Sequence, residues 1–386
     1  MRYRTIILKS ISVEVQLSFF GTETGSTECH AMLHTLNTSL NAAEQIKNLE
    51  TAVGILSADG IAGKNMSLVF RRYFMSDPAN QWQLLKHDLP GALSITGQAP
   101  LDYTKVALWC YFVEDATVED ADGLTVMKHS GYEHYYYTGL NSTADTGEYT
   151  QTLELFNDLR TSLKQGNLSF ADELVRTWIY VQGVDTHYAG MVRARKEVFD
   201  EEGLTEHTHY IASTGIEGRF RLPQSLVYMD AYAIRGMSRG QLNYLHALEY
   251  LSPTSNYGVT FERGSIVNYG DRNHIFISGT ASIDKHGEIL YPQDVMAQAK
   301  RALMNILGLL SEGGANFDDL AQLIVYLRDP ADYPVIKPFI ESMLPEVPAV
   351  YVLAPVCRPG WLIEMECMAV CPNICLLYTS PSPRDA

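Results

Sequence analysis

The chain repeats one order of local signals three times, and this repetition constrains its fold more than any other feature of the sequence. Each copy begins with a helix whose apolar residues recur every three or four positions. It continues into an apolar strand and ends in a turn that carries an aspartate. The three strands are residues 68–74, Leu174–Val181 and Leu320–Leu327. Helices and strands alternate in many α/β proteins, but a shared order of this detail favours true repeats.

The helices of the three copies differ in clarity: the third copy is the clearest and the first is the weakest. Glycine follows the periodic segment at Gly166 and at Gly313-Gly314, which is typical of helix ends. The apolar positions on the three helix faces are Ile46, Leu49, Val53 and Leu56; Leu153, Phe156, Leu159 and Leu163; and Val295, Ala299, Ala302, Leu303, Ile306 and Leu310.

A further apolar strand closes each copy, beginning near Lys105, Leu226 and Trp361. The predicted organisation is a degenerate first unit at 1–125, a second unit at 126–236, a linker at 237–254, a third unit at 255–371 and a tail at 372–386. The tail has no such pattern and resembles translated sequencing-adapter sequence. We therefore predict that it is not native, and that Cys375 belongs to it.

The charge of the chain argues against several kinds of partner. The formal net charge is −16, and no run is rich in Lys and Arg, whereas nucleic acid and anionic membranes are bound by clustered positive charge. The amino-terminal apolar run, residues 6–8, is too short for a signal peptide, and no stretch of about 18 apolar residues follows. The expected location is therefore the reducing cytoplasm.

Neither the cysteines nor the histidines indicate a metal site. No two cysteines have C-x-x-C spacing, and the eleven histidines form no set with ligand spacing. His207 and His209 lie in a polar segment that is more typical of a solvated loop. We expect no metal and no cofactor.

The third copy, residues 255–370, resembles the Rid/YjgF family over almost a whole domain. The matching positions are residues 277–280, Asp284, Gly287, Gln298, Asn305, Gly314-Ala315, residues 325–329, Pro348 and residues 364–366. The resemblance implies an α/β (α+β) fold of mixed sheets with helices on one face. Family members form trimers with pockets at the clefts between subunits. Three tandem copies therefore predict a monomer folded as an intramolecular pseudo-trimer.

One feature of the deaminating Rid proteins is missing from this chain. Those proteins hold the substrate carboxylate with an arginine shortly after the proline of the penultimate strand. Here Pro348-Ala349 is followed by Val350. The absence of that cation argues against imine deamination, and the net charge of −16 gives little support to the family's older description as endoribonucleases.

Several segments also resemble the chorismatases, which are Rid-fold enzymes that cleave the enolpyruvyl ether of chorismate and release pyruvate. The matching segments are residues 356–359, Trp361-Leu362 with Glu364, residues 261–264 and residues 175–178. The resemblance extends over roughly the last two thirds of the chain. It implies that Glu364 is the catalytic acid and that Arg176 and Arg263 bind carboxylates. It also implies that Cys357 and Gly264 shape the pocket around the ring.

The last strand carries the carboxylate pair that this chemistry needs. With a period of two, Glu364 and Glu366 share one face of residues 361–370. Protonating an enol ether requires an acid that keeps its proton near neutral pH, and burial beside a second carboxylate raises a glutamate's pKa. The alternative is that both glutamates are solvated or paired with arginine. The resemblance favours Glu364 as the acid and Glu366 as its support.

The matching positions of the second copy are Tyr228 and Asp230, so the first carboxylate is missing there. The first copy has no acid within residues 106–113. One active site per chain is therefore expected.

Chorismate has two carboxylates, and forked guanidinium groups are the preferred ligands for them. The candidates are Arg176, Arg219, Arg263 and Arg358. Arg176 lies on an apolar strand, where an unpaired charge is costly; its alternative role is to bridge to a nearby acid. The alternative for the other three is an ordinary surface side chain. The alternative role of Cys357 is that of a small buried hydrophobic residue. Gly279 could bring the backbone close to a ligand; its alternative role is to relieve crowding between strands.

These observations predict a cofactor-free chorismatase-like enzyme that binds chorismate between the second and third copies. Its products would be pyruvate and either 3-hydroxybenzoate or a dihydroxycyclohexadiene carboxylate. Two alternatives remain open: a Rid-type enamine/imine deaminase, and a non-catalytic protein that binds a small metabolite.

Overall fold

The structure is a computed structural model that describes residues 1–23, 25–121 and 123–373. Most of the predicted non-native tail, residues 374–386 with Cys375, lies outside the described residues. The described chain forms three mixed sheets, each with helices on one face, and none of its helices is both long and apolar enough to cross a membrane.

Unit one, as we name the first sheet and its helices, has the strand order β1-β2-β3-β7-β4-β5. Its strands are β1 Arg2–Leu8, β2 Val13–Phe20, β3 Glu28–Thr35, β4 Met66–Met75, β5 Ala92–Thr96 and β7 Val106–Glu114. Its helices are α1 Ala42–Ala58 and the short α2 Pro78–Gln81. Strand β6, Ala99–Pro100, leaves this unit and joins the third sheet.

Unit two has the strand order β12-β11-β13-β10-β9-β8. Its strands are β8 Thr117–Ala121, β9 Leu124–His129, β10 Tyr132–Asn141, β11 Leu174–Val181, β12 Ala212–Glu217 and β13 Val227–Arg235. Its helices are α3 Glu148–Gln165 and α4 Val184–Glu201.

Unit three has the strand order β14-β15-β16-β19-β17-β18-β6. Its strands are β14 Leu242–Leu245, β15 Gly264–Asn268, β16 Arg272–Ala281, β17 Leu320–Leu327, β18 Ala349–Leu353 and β19 Ile363–Pro372. Its helices are α5 Val295–Glu312 and α6 Tyr333–Met343. This mixed α+β architecture agrees with the fold class expected from the sequence.

The repeat predicted from the sequence is visible in the strand pairing. In all three sheets the closing strand lies between an antiparallel neighbour and the apolar strand of the repeat, in the orders β3-β7-β4, β10-β13-β11 and β16-β19-β17. The apolar strand also pairs in parallel with the strand on its other side, β5, β12 or β18. Each repeat strand has a bulge near its start, before Phe70, Arg176 and Gln322. These shared bulges allow positions in the three units to be compared residue by residue.

The predicted local elements are confirmed closely. Strands β11 and β17 have the predicted bounds, and residues 68–74 lie within β4. The apolar face of α1 is buried, and its first turn is fixed by a capping box between Asn41 and Glu44. Helix α5 begins at the Asp294 cap and ends at Gly313. Apolar periodicity and the glycines that follow the helices were sufficient to locate these elements.

The sheets do not end where the predicted units end. The first sheet finishes at Glu114 and the second begins at Thr117, so the predicted boundary at residue 125 falls inside β9. The predicted linker at 237–254 contains β14, which pairs with β15. The final strand also includes Pro372, the first residue of the predicted tail. Pairing between distant strands, rather than composition, decides these limits.

The three units contact one another in a cycle, through β5 and β10, through β12 and β16, and through β17 and β3. A buried ion pair lies at each junction. Arg72 pairs with Asp230 at 3.1 Å, Arg176 with Glu366 at 3.1 Å, and Arg272 with Glu28 at 2.8 Å. Because a buried charge is tolerated only when it is compensated, these pairs restrict how the sheets can meet.

We expect Asp230→Ala to lower the free energy of unfolding by about 3–5 kcal/mol, because it leaves the guanidinium of Arg72 buried without its partner. Urea unfolding followed by circular dichroism measures this change. The control is Glu119→Ala, which breaks an exposed pair with Lys128 and should cost less than about 1 kcal/mol. Equal effects of the two substitutions would contradict the structural role of the buried pair.

Candidate active site

A pocket of about 490 Å³, including its open mouth, lies at the junction of units two and three. Unit two contributes side chains from α4 and β12, and unit three contributes the segment before β15, the end of β16 and the start of β19. The lining residues are Tyr188, Arg195, Ser213, Gly215, Val259, Phe261, Arg263, Gly279, Ala281, Ile283, Cys357, Arg358, Trp361 and Glu364. Three arginines and one glutamate therefore line a single pocket.

Glu364 is the acidic side chain of this pocket. It lies on β19 between Ala281 of β16 and Tyr326 of β17, and only 5% of it is exposed. Burial raises the pKa of Glu364 to about 8, and the nearby charge of Glu366 acts in the same direction, although Arg263 and Arg176 oppose it. A carboxyl group with this pKa keeps its proton at neutral pH and can act as a general acid.

Gly279 allows Glu364 to occupy this position. A Cβ atom on Gly279 would lie 2.2 Å from Oε1 of Glu364, a separation that side chains cannot adopt. The residue lies at the bulge between Ile277 and Thr280 of β16, where the strand departs from regular pairing with β19. Gly279 thus lines the pocket, and it also makes room for the acid.

Glu366 faces the interior, where side chains of unit two bind both of its oxygen atoms. Arg176 Nη2 donates to Oε2 at 3.1 Å, and Trp178 Nε1 donates to Oε1 at 2.9 Å. The Arg176 guanidinium also donates to Ser278 Oγ at 3.0 Å and to Thr214 Oγ1 at 2.5 Å. Unit two therefore pairs with and orients the carboxylate that lies two residues from Glu364.

Two arginines flank Phe261 on the other side of the pocket. Arg263 is 4% exposed, and its Nη2 donates to the carbonyl of Ser252 at 3.0 Å. Arg195 of α4 is 1% exposed, and its Nε donates to Thr260 Oγ1 at 3.1 Å. Their guanidinium carbons lie 5.5 and 6.0 Å from the centre of the Phe261 ring. Two buried guanidinium groups thus provide positive charge at one pocket.

Cys357 and Arg358 form part of the pocket wall next to Trp361. Burial raises the pKa of the Cys357 thiol to about 12, with the charge of Glu364 adding to the effect. The thiol is therefore neutral, which suits the pocket-shaping role predicted for it better than a nucleophilic one. The Arg358 guanidinium lies 5.3 Å from the centre of the Trp361 ring.

The structure places three of the predicted substrate-binding residues elsewhere. Arg176 does not line this pocket among the described residues; it lines an interior cavity and pairs with Glu366, the alternative role considered for it. Gly264 lies behind the pocket, where a Cβ would meet the carbonyl of Phe276 at 3.0 Å. Arg219 donates to the carbonyl of Ser76 at the junction of units one and two. Arg176 lies on β11 and Gly264 on β15, whereas Arg219 lies between β12 and β13.

Sequence reasoning missed Arg195 and Tyr188, which both lie on α4. Helix α4 buries Met191, Ala194 and Val198, so Arg195 lies on an otherwise apolar face. A charged residue on the apolar face of a helix is the signal that identifies such a position. Within the described residues, no cluster of three or more His, Cys, Asp or Glu side chains is placed to hold a metal ion.

Comparisons with known proteins agree with this architecture. Residues 265–371 match the family model described as Endoribonuclease L-PSP. A 3-aminoacrylate deaminase RutC from Acinetobacter baylyi is 32% identical over 99 residues, which are 25% of this chain and 79% of that protein. The chain therefore belongs to the Rid/YjgF family.

Two further comparisons extend beyond the third unit. A 3-hydroxybenzoate synthase from Streptomyces hygroscopicus is 26% identical over 313 residues, which cover 74% of this chain and 87% of that protein. A crystal structure of a chorismatase superposes with a TM-score of 0.61 at 18% identity, covering 78% of this chain and 93% of that one. Within the Rid family, this chain is thus a chorismatase-like member that carries the tandem fold.

Neutralising Glu366 should lower the pKa of Glu364 from about 8, because it removes the negative charge that opposes ionisation of the acid. Infrared titration of the protonated carboxyl band measures this pKa, and loss of the band in Glu364→Gln assigns it. We expect Glu366→Gln to shift the midpoint to lower pH. Asp158→Asn, which removes an exposed charge elsewhere, should leave the midpoint unchanged. An unshifted midpoint in Glu366→Gln would refute the coupling.

Proposed function

We propose that this chain is a chorismatase-like enzyme that cleaves the enolpyruvyl ether of chorismate and releases pyruvate without a cofactor. The observation that carries the proposal is Glu364, a buried acid with a pKa of about 8 that faces a pocket lined by three arginines. The named activities of the 3-hydroxybenzoate synthase and the chorismatase support the choice of substrate.

In the proposed reaction, Glu364 transfers its proton to the terminal methylene carbon of the enolpyruvyl group. The ether carbon then carries positive charge, which the resulting carboxylate of Glu364 stabilises. In one route the bond between the ether oxygen and the ring breaks, which releases pyruvate and leaves positive charge on that ring carbon. The oxygen of the neighbouring ring hydroxyl bonds to this carbon and leaves its own, and a ring proton returns to the Glu364 carboxylate, which gives 3-hydroxybenzoate. In the other route water adds to the ether carbon and its extra proton returns to Glu364, and the hemiketal then collapses to pyruvate and the diol. General acid catalysis of this kind typically contributes about 10²–10⁴-fold in rate.

The two routes differ in the balance of water. Chorismate divides into pyruvate and 3-hydroxybenzoate with no net water, whereas pyruvate and a dihydroxycyclohexadiene carboxylate require one water molecule. The neutral thiol of Cys357 and the apolar ring of Phe261 line the pocket and would limit the entry of water, which the second route needs at the ether carbon. This environment supports 3-hydroxybenzoate as the aromatic product.

In our proposal, Arg195 and Arg263 bind the substrate carboxylates, and Arg358 adds positive charge at the mouth. Arg195 replaces Arg176 as the cation from unit two, because Arg176 is paired with Glu366 in the interior. Forked guanidinium groups suit this role, since they bind carboxylates through two parallel hydrogen bonds. The substrate would thus contact units two and three together.

A deaminase is less well supported, although a relative of the third unit is named 3-aminoacrylate deaminase. Val350 stands where deaminating Rid proteins have an arginine, and it is buried in the apolar core of unit three. The raised pKa of Glu364 also fits protonation of carbon better than stabilisation of a cationic imine.

Incubation with chorismate should release pyruvate, which lactate dehydrogenase and NADH report at 340 nm. Glu364→Gln should lower kcat by about 10²–10⁴-fold with an unchanged melting temperature, because it removes the proton donor but keeps the shape of the side chain. Asp158→Asn is the matched surface control.

Chromatography of the ring product distinguishes the two routes. The absence of pyruvate above background would refute the proposal. Turnover of 2-aminoacrylate but not of chorismate would favour the deaminase. A ligand-induced rise in melting temperature without turnover would favour a binding protein.

Arg195→Lys should raise KM for chorismate about tenfold or more, because a point charge cannot reproduce the paired hydrogen bonds of a guanidinium. Arg219→Lys is the matched control, since Arg219 lies at the junction of units one and two. It should leave KM unchanged. A rise in KM for Arg219→Lys but not for Arg195→Lys would place the substrate at a different junction.

A further inference from the structure

The junction of units three and one has a pocket of its own. It has an empty volume of about 1320 Å³, including its open mouth. Helix α6 and strand β18 of unit three form one wall, and strands β2 and β3 of unit one form the other. Tyr333, the first residue of α6, lines this pocket, as Tyr188 near the start of α4 lines the pocket that contains Glu364.

The strand register shows that this pocket corresponds to the candidate active site. Tyr326 lies four residues after the bulge of β17 and pairs with Glu364. Phe74 lies four residues after the bulge of β4 and pairs with Ala107, so Ala107 occupies the position of the acid. The strand opposite carries His34 across from Ala107. The pocket at units three and one therefore lacks the acid but has its own ionisable side chain.

His34 connects the two units at this pocket. Its Nδ1 lies 3.3 Å from Oδ2 of Asp102 in unit one, and its Nε2 lies 3.1 Å from the carbonyl oxygen of Ala349 in unit three. Thr104 also donates to Asp102, at 2.6 Å. Both ring nitrogens thus have partners, and the pair is a structural part of the wall rather than a free acid–base group.

Two buried hydroxyl groups line the pocket without a hydrogen-bond partner among the described residues. They belong to Tyr351, which is 7% exposed, and to Thr35, which is 3% exposed. Tyr351 lies on β18 at the position that Gly215 has on β12, counted from the bulges. Buried polar groups are normally satisfied by protein or by water, so these hydroxyls are available to a polar molecule in the pocket or to its bound water.

The charge around the pocket defines the class of that molecule. Four carboxylates line it, from Glu14, Asp102, Glu341 and Glu346, against the ammonium group of Lys337. Lys337 is already close to Glu341, at 3.7 Å. The rings of Tyr333 and Tyr351 meet edge to face at 5.6 Å, and Lys337 Nζ lies 5.9 Å from the centre of the Tyr333 ring, so this aromatic wall already accepts one positive group. Excess negative charge with aromatic walls favours a cation.

We propose that the pocket between α6, β18 and strands β2 and β3 is a second, non-catalytic site that binds a small organic amine. The ammonium group would lie among the carboxylates and accept cation–π contact from the tyrosine rings. The hydroxyls of Tyr351 and Thr35 would bond to the polar groups of the amine or to its bound water. The site is independent of Glu364 and of any reaction there.

Isothermal titration calorimetry of the full chain with putrescine, without chorismate, tests this site. We expect saturable 1:1 binding that weakens at least fivefold in Tyr351→Phe and in Glu341→Gln, while Asp158→Asn and Glu364→Gln bind as the unsubstituted chain does. Glu341 is exposed, so its substitution does not endanger folding. Succinate, a probe of opposite charge, should not bind at this site.

Three outcomes would overturn the proposal. The first is that putrescine gives no saturable heat. The second is that Tyr351→Phe and Glu341→Gln bind putrescine as tightly as the unsubstituted chain does. The third is that succinate competes with putrescine. Equal binding by all variants would indicate general attraction of cations to a chain of net charge −16. Because the assay contains no chorismate, failure here leaves the proposed lyase activity untouched.

Discussion

The contact on which the site most depends is the buried ion pair between Arg176 of unit two and Glu366 of unit three. Neither charge is tolerable in the interior alone, and each loses its partner if the units separate. Arg72 with Asp230, and Arg272 with Glu28, place the same constraint on the other two junctions. The three sheets are therefore held in a cycle by specific charges as well as by apolar surface.

This pair also creates the chemical environment of Glu364. Glu366 lies on the same face of β19, where Arg176 and Trp178 hold its carboxylate near the buried Glu364. The charge of Arg176 lowers the pKa of Glu364, whereas burial and the charge of Glu366 raise it. The last two effects favour the protonated form of Glu364, and Gly279 leaves the space into which its carboxyl group fits. The acid belongs to unit three, but its proton affinity depends on unit two.

Much of the fold could be predicted from the sequence, and part of the site. The repeat strands, the helix faces and the placement of Glu364 beside Glu366 follow from periodicity, which depends only on residues a few positions apart. The partner of Arg176 could not be predicted in this way, because it lies 190 residues further along the chain. Arg195 was missed because its relevance depends on how α4 packs across a junction between units.

The sequence by itself therefore determined the kind of protein: a tandem α+β chain with one carboxylate pair suited to acid chemistry. Only the tertiary structure decided that Arg195, rather than Arg176, faces the pocket with Arg263. It also decided that the second pocket, at units three and one, has Ala107 at the position of the acid and His34 across from it. The physical reason is the distance along the chain over which the interactions act. Secondary structure responds to neighbours along the chain, whereas a pocket and its charges form between side chains that only folding brings together.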